Sequence, residues 1–441
     1  MRGAFVEGLV GRSAGALVGA TLALAAGCKS GFTGPYMCAE GYASCVNPSS
    51  QNTCETDTTT DGLNCGGCGT VCPVGAPCLD SSCGPAAVRI AQTGSSALVK
   101  TNATTVFWSG NNQSNVVYRL PLSAAAGTAG TVLVSDGASL NTGRTTFVVD
   151  DANVYYFAAI PGGGSGCPAG QCFDLVQQPL TGGTPTVLMA WSALSTLLAN
   201  AGIQVANGGA NPGASLAVSG PNVYFLLSLM SNNTASYAIG DAMIGGAGQV
   251  GQIVGKMTSY NSPTSTDLVA NTTMVAFETW DNGATWLHVF PVGGGSMRTL
   301  PLPISFTGPI AADESYIYAI ASGCQCNDNQ LAMGPPPGAV TRVPLDGGAS
   351  KTLARFWGTT GGAAVDSTNV YWSTDTTAWK VPVAGGTPTP VAGNLGNGVA
   401  AYQCNGCGGG SQPGPTGIAV APSAVYVAAS GTEQAILKVA R

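Results

Sequence analysis

Short segments of β-branched and aromatic residues, separated by turn residues, recur along most of the chain. The clearest unit is residues 361–393, which contains four such segments: AAVD, NVYWS, AWKVPVA and TPTPVA. Residues 366–368 form a turn between the first two segments, and Gly385 and Gly386 form one between the last two. Short segments of this composition between turn residues predict β-strands. We therefore expect the unit to be an antiparallel sheet of four strands.

The chain contains seven copies of the unit, and in each copy the second segment carries an anchor residue at the same place. The anchors are Phe107, Tyr155, Tyr224, Ala276, Tyr318, Tyr371 and Tyr426. A radial array of such units is expected, because each sheet can bury its faces only against its neighbours. The last copy lacks a fourth segment, and AVRIAQTG at 87–94 resembles one, so the start of the array can close the ring and cover its edges. The fold class predicted is all-β, a seven-bladed β-propeller over residues 87–441 that is closed by an N-terminal strand.

The long connections of the array are expected on one face. In a four-stranded blade, the first-to-second and third-to-fourth turns lie on one face, and the second-to-third loops and the crossings between blades lie on the other. The insertions at 161–171, 190–213, 322–338 and 394–415 all belong to the second set. Ordered loops on a rigid scaffold commonly carry binding, which makes this face the predicted binding face. The alternative is that these loops are tolerated insertions.

Six cysteines lie in the same connections, as the close doublets Cys167 with Cys172, Cys324 with Cys326, and Cys404 with Cys407. Disulfides there would keep long, glycine-rich loops ordered. Eight more cysteines fall within residues 38–83, a segment too poor in large apolar residues to build a core without cross-links. They are Cys38, Cys45, Cys54, Cys65, Cys68, Cys72, Cys78 and Cys83. Their pairing cannot be deduced from sequence, and zinc thiolates at Cys65, Cys68 and Cys72 are an alternative.

The N-terminus has the pattern of an export signal. Arg2 and Arg12 precede an apolar run at 14–27 that is too short to span a bilayer, which indicates a signal peptide over residues 1–27. The alternative is a buried helix or short anchor. The sequence LAAGC resembles the lipobox of bacterial lipoproteins, although Ala25 stands where that family prefers Leu. The resemblance implies lipidation of Cys28, a tether over 28–37 and an extracytoplasmic protein anchored to the bacterial envelope, at the outer membrane. With Cys28 set aside, every cysteine group is even, as expected in an oxidising compartment.

Two further resemblances concern the modules. The run NCGGCGTVC from Asn64 to Cys72 resembles cysteine-rich repeats of exported myxobacterial proteins and the plant stigma-specific family. It implies a secreted disulfide module, either a stalk or an adhesion module, and no activity. The phrase AVDSTNVYWST resembles the YWTD repeat of lipoprotein-receptor propellers, and the copies resemble generic secreted propellers of Gram-negative bacteria. YWTD arrays have six blades, so the resemblance implies only the blade pattern.

Composition narrows the function classes. Only 8% of residues are charged, the formal net charge is −6, and 15 residues are basic, which argues against a nucleic-acid partner. His288 is the single histidine of the chain, which excludes most catalytic triads and histidine-ligated metal sites. We expect His288, Trp108 and Trp372 to be core residues. The turn aspartates Asp150, Asp151, Asp313 and Asp366 are expected to cap their own backbone.

Loop acids and tryptophans are the candidate binding residues. Trp280, Asp281, Asp328 and Asp375 are assigned to second-to-third loops of consecutive blades, and Trp379 lies just beyond one. Stacked indoles with carboxylates suit a sugar or a calcium ion. A carboxylate pair about 5 to 10 Å apart could instead serve glycoside hydrolysis. Solvated loop acids without a site are the third interpretation.

These observations predict a monomeric, lipid-anchored extracytoplasmic protein that binds an unidentified protein or glycan through the loop-bearing face. One alternative is a carboxylate-dependent glycan lyase or hydrolase at that face. Another is a structural envelope component without a ligand. No catalytic or metal-ligating residue is assigned, no cofactor is expected apart from calcium, and membrane contact is expected only through the N-terminal lipid.

Overall fold

The structure is a computed structural model of the 441-residue chain. It describes residues 42–43, 45, 56–93, 98–109, 116–125, 127–136, 146–160, 172–202, 213–231, 234–244, 252–259, 267–281, 284–292, 295–302, 308–321, 338–356, 360–374, 376–395, 417–429 and 434–441. Cys28, Cys38, Cys54, Cys167, Cys324, Cys326, Cys404, Cys407, Asp328 and Asp375 lie outside the described residues. Within that part of the chain, no helix is long and apolar enough to cross a membrane.

From residue 88 onward, the described residues form seven antiparallel sheets of four strands each, which confirms the predicted all-β propeller of seven blades. We number the blades 1 to 7 along the chain and the strands first to fourth from the axis outward. The first strand of every blade contacts the first strand of the next, and that of blade 7 contacts that of blade 1. The ring is therefore continuous around its axis.

The strands of the first four blades follow one another in chain order. They are Val99–Thr101, Thr105–Ser109, Val117–Pro121 and Thr131–Val134 in blade 1; Phe147–Val149, Asn153–Ala159, Phe173–Pro179 and Thr186–Met189 in blade 2; Gly213–Ser219, Asn222–Ser231, Thr234–Met243 and Gln252–Ser259 in blade 3; and Leu268–Ala270, Met274–Asp281, Ala284–Pro291 and Arg298–Leu302 in blade 4.

Blades 5 and 6 repeat this order, and blade 7 takes its fourth strand from the beginning of the array. The strands are Ile310–Ala312, Tyr316–Ala321, Gly338–Pro344 and Lys351–Phe356 in blade 5; Gly362–Val365, Asn369–Ser373, Ala378–Pro382 and Thr389–Ala392 in blade 6; and Gly417–Ala421, Ala424–Ala429, Ala435–Ala440 and Val88–Gln92 in blade 7. The last of these pairs antiparallel with Ala435–Ala440, so residues from both ends of the array share one sheet.

The anchor residues fill the spaces between blades. Tyr155 packs with Leu216 and Val223 of blade 3, and Tyr426 packs with Val99 and Val106 of blade 1. All seven anchors are at most 2% exposed. Burial of one such aromatic side chain contributes about 1.5 to 3 kcal/mol. The anchor position recurring in the sequence is thus part of the core between neighbouring blades.

Basic side chains of the third strands join the blades near their outer ends. Arg342 Nη1 donates to the Val383 carbonyl at 2.9 Å, and Lys438 Nζ donates to that of Leu122 at 3.3 Å. Arg119 donates to the Leu180 carbonyl in the same way. Because each carbonyl belongs to the following blade, these three basic side chains link neighbouring blades.

Four short strands shape the cysteine-rich module. Tyr42–Ala43 pairs with Thr56–Asp57, and Cys78–Leu79 pairs with Ser82–Cys83. Three disulfides cross-link the described part of the module: Cys45–Cys68, Cys65–Cys78 and Cys72–Cys83. Disulfides replace the large apolar core that this segment lacks.

Candidate binding face

The two faces of the ring differ in the connections they carry. The turn face bears the first-to-second turns, such as residues 150–152, 313–315 and 366–368 between the strands given above. At the opposite, loop-bearing face, second strands end and third strands begin, as at Ala159 and Phe173, and fourth strands end before the crossing to the next blade, as at Met189 and Ala392. This division follows from the strand order, because an antiparallel meander reverses direction at every turn.

Three of the four turn aspartates, Asp150, Asp313 and Asp366, cap their own turns as the sequence predicted, whereas Asp151 is exposed and its capping role stays a prediction. Asp150 Oδ1 accepts the N–H groups of Ala152 and Asn153 at 2.7 and 2.6 Å, while Asp150 Oδ2 accepts the hydroxyl of Tyr155 at 2.6 Å. Asp313 makes the same three contacts with the backbone of residues 315 and 316 and the hydroxyl of Tyr318. Each turn is thereby tied to the anchor residue of its own blade, and its carboxylate is fully engaged.

Asp366 completes the series in blade 6. Burial acts to raise the pKa of its carboxyl group, but hydrogen bonds from Thr368, Asn369 and Tyr371 outweigh burial and lower that pKa. Arg441 forms an ion pair with Asp366 at 2.5 Å between Nη2 and Oδ2. Arg441, which follows the third strand of blade 7, therefore binds the turn of blade 6. Asp366 has a structural role.

Asparagines link neighbouring turns. Asn102 Nδ2 donates to the Asp150 carbonyl at 3.0 Å, and Asn271 Nδ2 donates to that of Asp313 at 2.8 Å. Both asparagines also cap their own turns, as the aspartates do. The polar groups of the described turn face are largely satisfied within the protein, which leaves this face few directed groups for a ligand.

A helix on the loop-bearing face was not predicted. The crossing from blade 2 to blade 3 contains the α-helix Trp191–Asn200, whose Leu194 and Leu198 are buried. Its first residue donates its N–H to Asp174 Oδ1 at 2.8 Å, and the Trp191 ring packs edge-on against Phe173. The two buried leucines are four residues apart, which is the spacing of one helix face. We expected this crossing to be a loop and did not use that spacing.

The cysteine-rich module docks beside the same face. Asn394 Nδ2 donates to the Cys72 carbonyl at 3.0 Å, and the Gly75 N–H donates to the Gly393 carbonyl at 2.9 Å. Val74 packs against the core between blades 6 and 7. A Cβ on Gly75 would lie 2.4 Å from Ala87 Cβ, so this contact requires glycine. The module is therefore attached to the ring by specific contacts and is not a free stalk.

In the described part of the module, the cysteine sulfurs are paired in disulfides. Sγ atoms of Cys65, Cys72 and Cys83 lie within 4.8 Å of one another because two disulfides pack side by side. These sulfurs do not offer the thiolates that zinc requires. Elsewhere, Cys172 in blade 2 is disulfide-bonded, and the doublet partner expected for it lies outside the described residues.

Trp280 and Asp281 occupy different positions from those expected. They are the last two residues of the second strand of blade 4, and Asp281 pairs with Ala284 of the third strand. The expected loop position of these two residues is wrong, because the pairing of the second and third strands extends to Asp281. The Asn-Gly sequence that follows at 282–283 favours a two-residue hairpin. They still mark the loop-bearing end of blade 4, and their role in binding stays a prediction.

Trp379 is in the third strand of blade 6, opposite Trp372 of the second strand. Its ring stacks near that of Trp372, which is fully buried, while Trp379 itself is partly exposed. Trp379 Nε1 donates to Thr374 Oγ1 at 3.2 Å, at the start of the second-to-third connection. A supported, partly exposed indole therefore stands at the loop-bearing end of blade 6.

The single histidine is a core residue. His288 is 3% exposed, and its two ring nitrogens face Thr279 Oγ1 at 2.7 Å and Thr299 Oγ1 at 3.2 Å. Burial lowers the pKa of His288 to about 4. With both nitrogens engaged and the ring enclosed, His288 is not placed to transfer a proton to a ligand.

The structure contains a buried carboxylate, Glu278, that the sequence did not lead us to expect. Glu278 lies in the second strand of blade 4, is 0% exposed, and accepts the Gly308 N–H at Oε2 over 3.3 Å. Its other oxygen, Oε1, has no hydrogen-bond partner. The signal in the sequence was one acidic residue within the otherwise apolar and neutral segment MVAFETW.

A groove of about 380 Å³ opens at the seam between blades 7 and 1. It is bordered by the strand Val88–Gln92 and by Trp108, Tyr118 and residues 127–130. The described lining residues of this groove include Arg89 and Gln92 but no carboxylate or imidazole.

Comparison with known proteins gives similarity of fold only. No family model matches the chain, and no curated protein matches it. Similar solved structures include the β-propeller domain of the Trilobed protease from Pyrococcus furiosus, which is 8% identical with a TM-score of 0.45, over 78% of this chain and 95% of that one.

A structure from a study of two prolyl endopeptidases is 15% identical with a TM-score of 0.45, over 77% of this chain. This chain spans only 45% of that one. A Synechocystis apocarotenoid oxygenase is 11% identical with a TM-score of 0.33, over 65% of this chain and 72% of that one. We transfer no functional residue from these proteins.

Proposed function

We propose that the chain is an exported, lipid-anchored β-propeller that binds a glycan or protein ligand through its loop-bearing face. The observation that supports this most is the difference between the two faces. On the turn face, Asp150, Asp313 and Asp366 are bound by their own turns and anchors. The helix, the docked module and the long connections all belong to the other face.

The composition of the loop-bearing face favours a glycan. Trp379 presents a partly exposed ring there, and Asp281, Asp328 and Asp375 are the acids that the sequence assigns to the same ends of blades 4 to 6. Planar aromatic groups beside hydrogen-bonding side chains suit sugar rings. The net charge of −6 and the use of basic residues between blades disfavour a polyanionic ligand.

The binding test uses matched variants of the two faces. We would express the chain with its disulfides formed and measure saturable binding to a glycan array and to purified peptidoglycan. The double variant Asp281→Asn with Asp375→Asn is expected to weaken binding at least tenfold. The control, Asp151→Asn with Glu314→Gln, removes two exposed carboxylates from the turn face and should leave binding unchanged.

Two results would refute the proposed binding face. One is the absence of saturable binding to every glycan and polymer tested. The other is an equal loss of binding in the turn-face control, which would mean that overall charge, not one face, determines binding.

The anchor is tested separately, because it does not depend on the ligand. In a Gram-negative host, we expect Cys28 to carry lipid and the preceding 27 residues to be absent by mass spectrometry. Globomycin should cause the uncleaved precursor to accumulate, and Cys28→Ser should release the protein from the membrane fraction. An uncleaved, unmodified N-terminus in untreated cells would contradict this part of the proposal.

A further inference from the structure

Two acidic residues lie near each other at the loop-bearing end of blade 4, and the charge of Asp267 acts on Glu278. Leu268 of the first strand pairs with Phe277 of the second, and this pair is the last of the register. Asp267 directly precedes Leu268 and Glu278 directly follows Phe277, so extending the register by one step places them opposite each other. Directly opposed residues on antiparallel strands project from the same face of the sheet, with Cβ atoms about 4.5 to 5.5 Å apart.

The environment of Glu278 lacks the groups that a buried carboxylate needs. One N–H, that of Gly308 at the start of blade 5, reaches Oε2, and Oε1 has no partner. Burial raises the pKa of Glu278 well above its ordinary value, the Gly308 N–H acts to lower it, and the charge of Asp267 raises it further. The pair therefore requires either a proton or a cation to balance its charge.

The fold itself does not require an acid at this position. Glu278 lies two residues after the anchor Ala276, and the same place in the other blades holds small or apolar residues. They are Ser109, Phe157, Leu226, Ile320, Ser373 and Ala428. A buried acid with an unpaired oxygen destabilises a blade that could carry serine or isoleucine instead.

We propose that Asp267 and Glu278 form a binding site for one calcium ion between blades 4 and 5. Oε1 of Glu278 is the free buried ligand atom, and the Asp267 carboxylate supplies the second charge. Asp267 is only partly buried, which gives the ion and its water ligands access from the loop-bearing end. Calcium accepts carboxylates and water together at variable geometry, whereas magnesium demands a regular octahedron.

The ligand count sets the expected affinity. Two side-chain carboxylates are fewer than a high-affinity loop provides, so a dissociation constant of about 0.1 to 1 mM is expected, as in extracellular calcium modules. The site does not depend on the proposed ligand of the loop-bearing face. Both ligand residues belong to blade 4, and the Gly308 N–H at the start of blade 5 donates to the other oxygen of Glu278.

The test uses the full chain, freed of metal with EDTA and then titrated with CaCl2 alone. At 10 mM calcium, the thermal midpoint should rise by about 2 to 4 °C. Terbium should bind in place of calcium and show luminescence excited through the tryptophans of blade 4, among them Trp286 on the strand next to Glu278. Added calcium should reverse the luminescence.

Two variants and a control assign the effect to these residues. Glu278→Gln and Asp267→Asn should each abolish the calcium-dependent shift and weaken terbium binding at least tenfold. Glu314→Gln alters an exposed carboxylate of blade 5 and should keep both responses. Because Asp267 is near the surface, Asp267→Asn is expected to fold even if Glu278→Gln does not.

The proposal would be overturned if 10 mM calcium changed neither the thermal midpoint nor the terbium luminescence of the wild-type protein. A calcium response that survives in both Glu278→Gln and Asp267→Asn would also overturn it. If calcium has no effect and acidification alone stabilises the wild type relative to Glu278→Gln, the carboxylates share a proton and no cation site exists.

Discussion

Tyr155 donates its hydroxyl hydrogen to Asp150 across the first turn of blade 2, with 2.6 Å between the two oxygens. The aspartate is five residues before the tyrosine, and the same spacing joins Asp313 to Tyr318. One carboxylate thus fixes the turn through its first oxygen and the inter-blade anchor through its second. This contact connects a local sequence signal to the packing of the whole ring.

Removing the Tyr155 hydroxyl should lower the stability of the folded protein measurably. We expect Tyr155→Phe to lower the free energy of unfolding by about 1 to 2 kcal/mol, because Asp150 Oδ2 loses its donor in a partly buried place. The control is Tyr426→Phe, at the same position of blade 7, where Ala421 stands in place of the aspartate. Urea unfolding should show a change below about 0.5 kcal/mol for the control. Equal losses in both variants would show that the aspartate contact contributes nothing.

His288 should make stability depend on pH in one defined interval. Its pKa of about 4 in the folded protein is below the unfolded value of 6.5, because burial disfavours the charged ring. The unfolded chain therefore takes up the proton first. Burial of the neutral His288 ring therefore contributes about 3 kcal/mol to the free energy of unfolding above pH 6.5. This contribution is lost as the pH falls from about 6.5 to 4.

Since His288 is the only histidine, its titration can be followed by NMR without assignment. Urea unfolding of wild type and His288→Gln at pH 7, 5 and 4 should show the wild type losing more stability on acidification. A folded-state pKa near 6.5, or parallel pH profiles of the two proteins, would contradict the enclosed environment of the ring.

The disulfide Cys72–Cys83 should stabilise the closing strand. Cys72 accepts the hydrogen bond from Asn394 in the crossing after blade 6, and Cys83 precedes the strand Val88–Gln92 by a few residues. We expect Cys72→Ser with Cys83→Ser to cost about 3 kcal/mol by the chain-entropy estimate. Trypsin cleavage after Arg89, inside the closing strand, should become several-fold faster.

The matched control replaces Cys45 and Cys68 by serine, because that disulfide lies away from Asn394 and from the closing strand in sequence. It should leave the cleavage rate at Arg89 near the wild-type value. If both double variants expose Arg89 equally, the module stabilises the ring only through its overall folding.

Gly130 tests the packing of the seam between blades 7 and 1. A Cβ at this position would lie 2.3 Å from Trp108 Cη2, and Trp108 is buried. We expect Gly130→Ala to cost about 1 to 3 kcal/mol, because the indole must move within a packed core. Gly67→Ala is the control, since its nearest neighbour is Thr70 Oγ1 at 4.0 Å. Thermal unfolding that ranks the two variants equally would contradict the close approach.

The blades were predictable because their signal is local and repeated. The segment NVYWS shows the alternation of a strand, and similar segments recur around the ring. In blades 2, 5 and 6, an aspartate precedes the tyrosine anchor by five residues. The closing strand was suggested by its likeness to another fourth strand. By contrast, the helix Trp191–Asn200 depends on a surface formed by blades 2 and 3, which no local pattern reveals.

The site was less accessible to sequence reasoning. Trp280 and Asp281 were assigned to a second-to-third loop, whereas the second strand of blade 4 continues through them and pairs with Ala284 and Thr285. Glu278 was overlooked because its importance arises from register with Asp267 and from the approach of Gly308, which lies 30 residues away. Docking of the module on Asn394 joins residues separated by 322 positions.

The central claim is that the loop-bearing face is the binding face. Hydrogen exchange with mass spectrometry tests it most directly, with the glycan or polymer that binds best in the array as the ligand. The account predicts slower exchange at the loop-bearing ends of blades 4 to 6, including residues 278–284 and 374–379, with no change at turns 150–152, 313–315 and 366–368. Protection confined to those turns would contradict it.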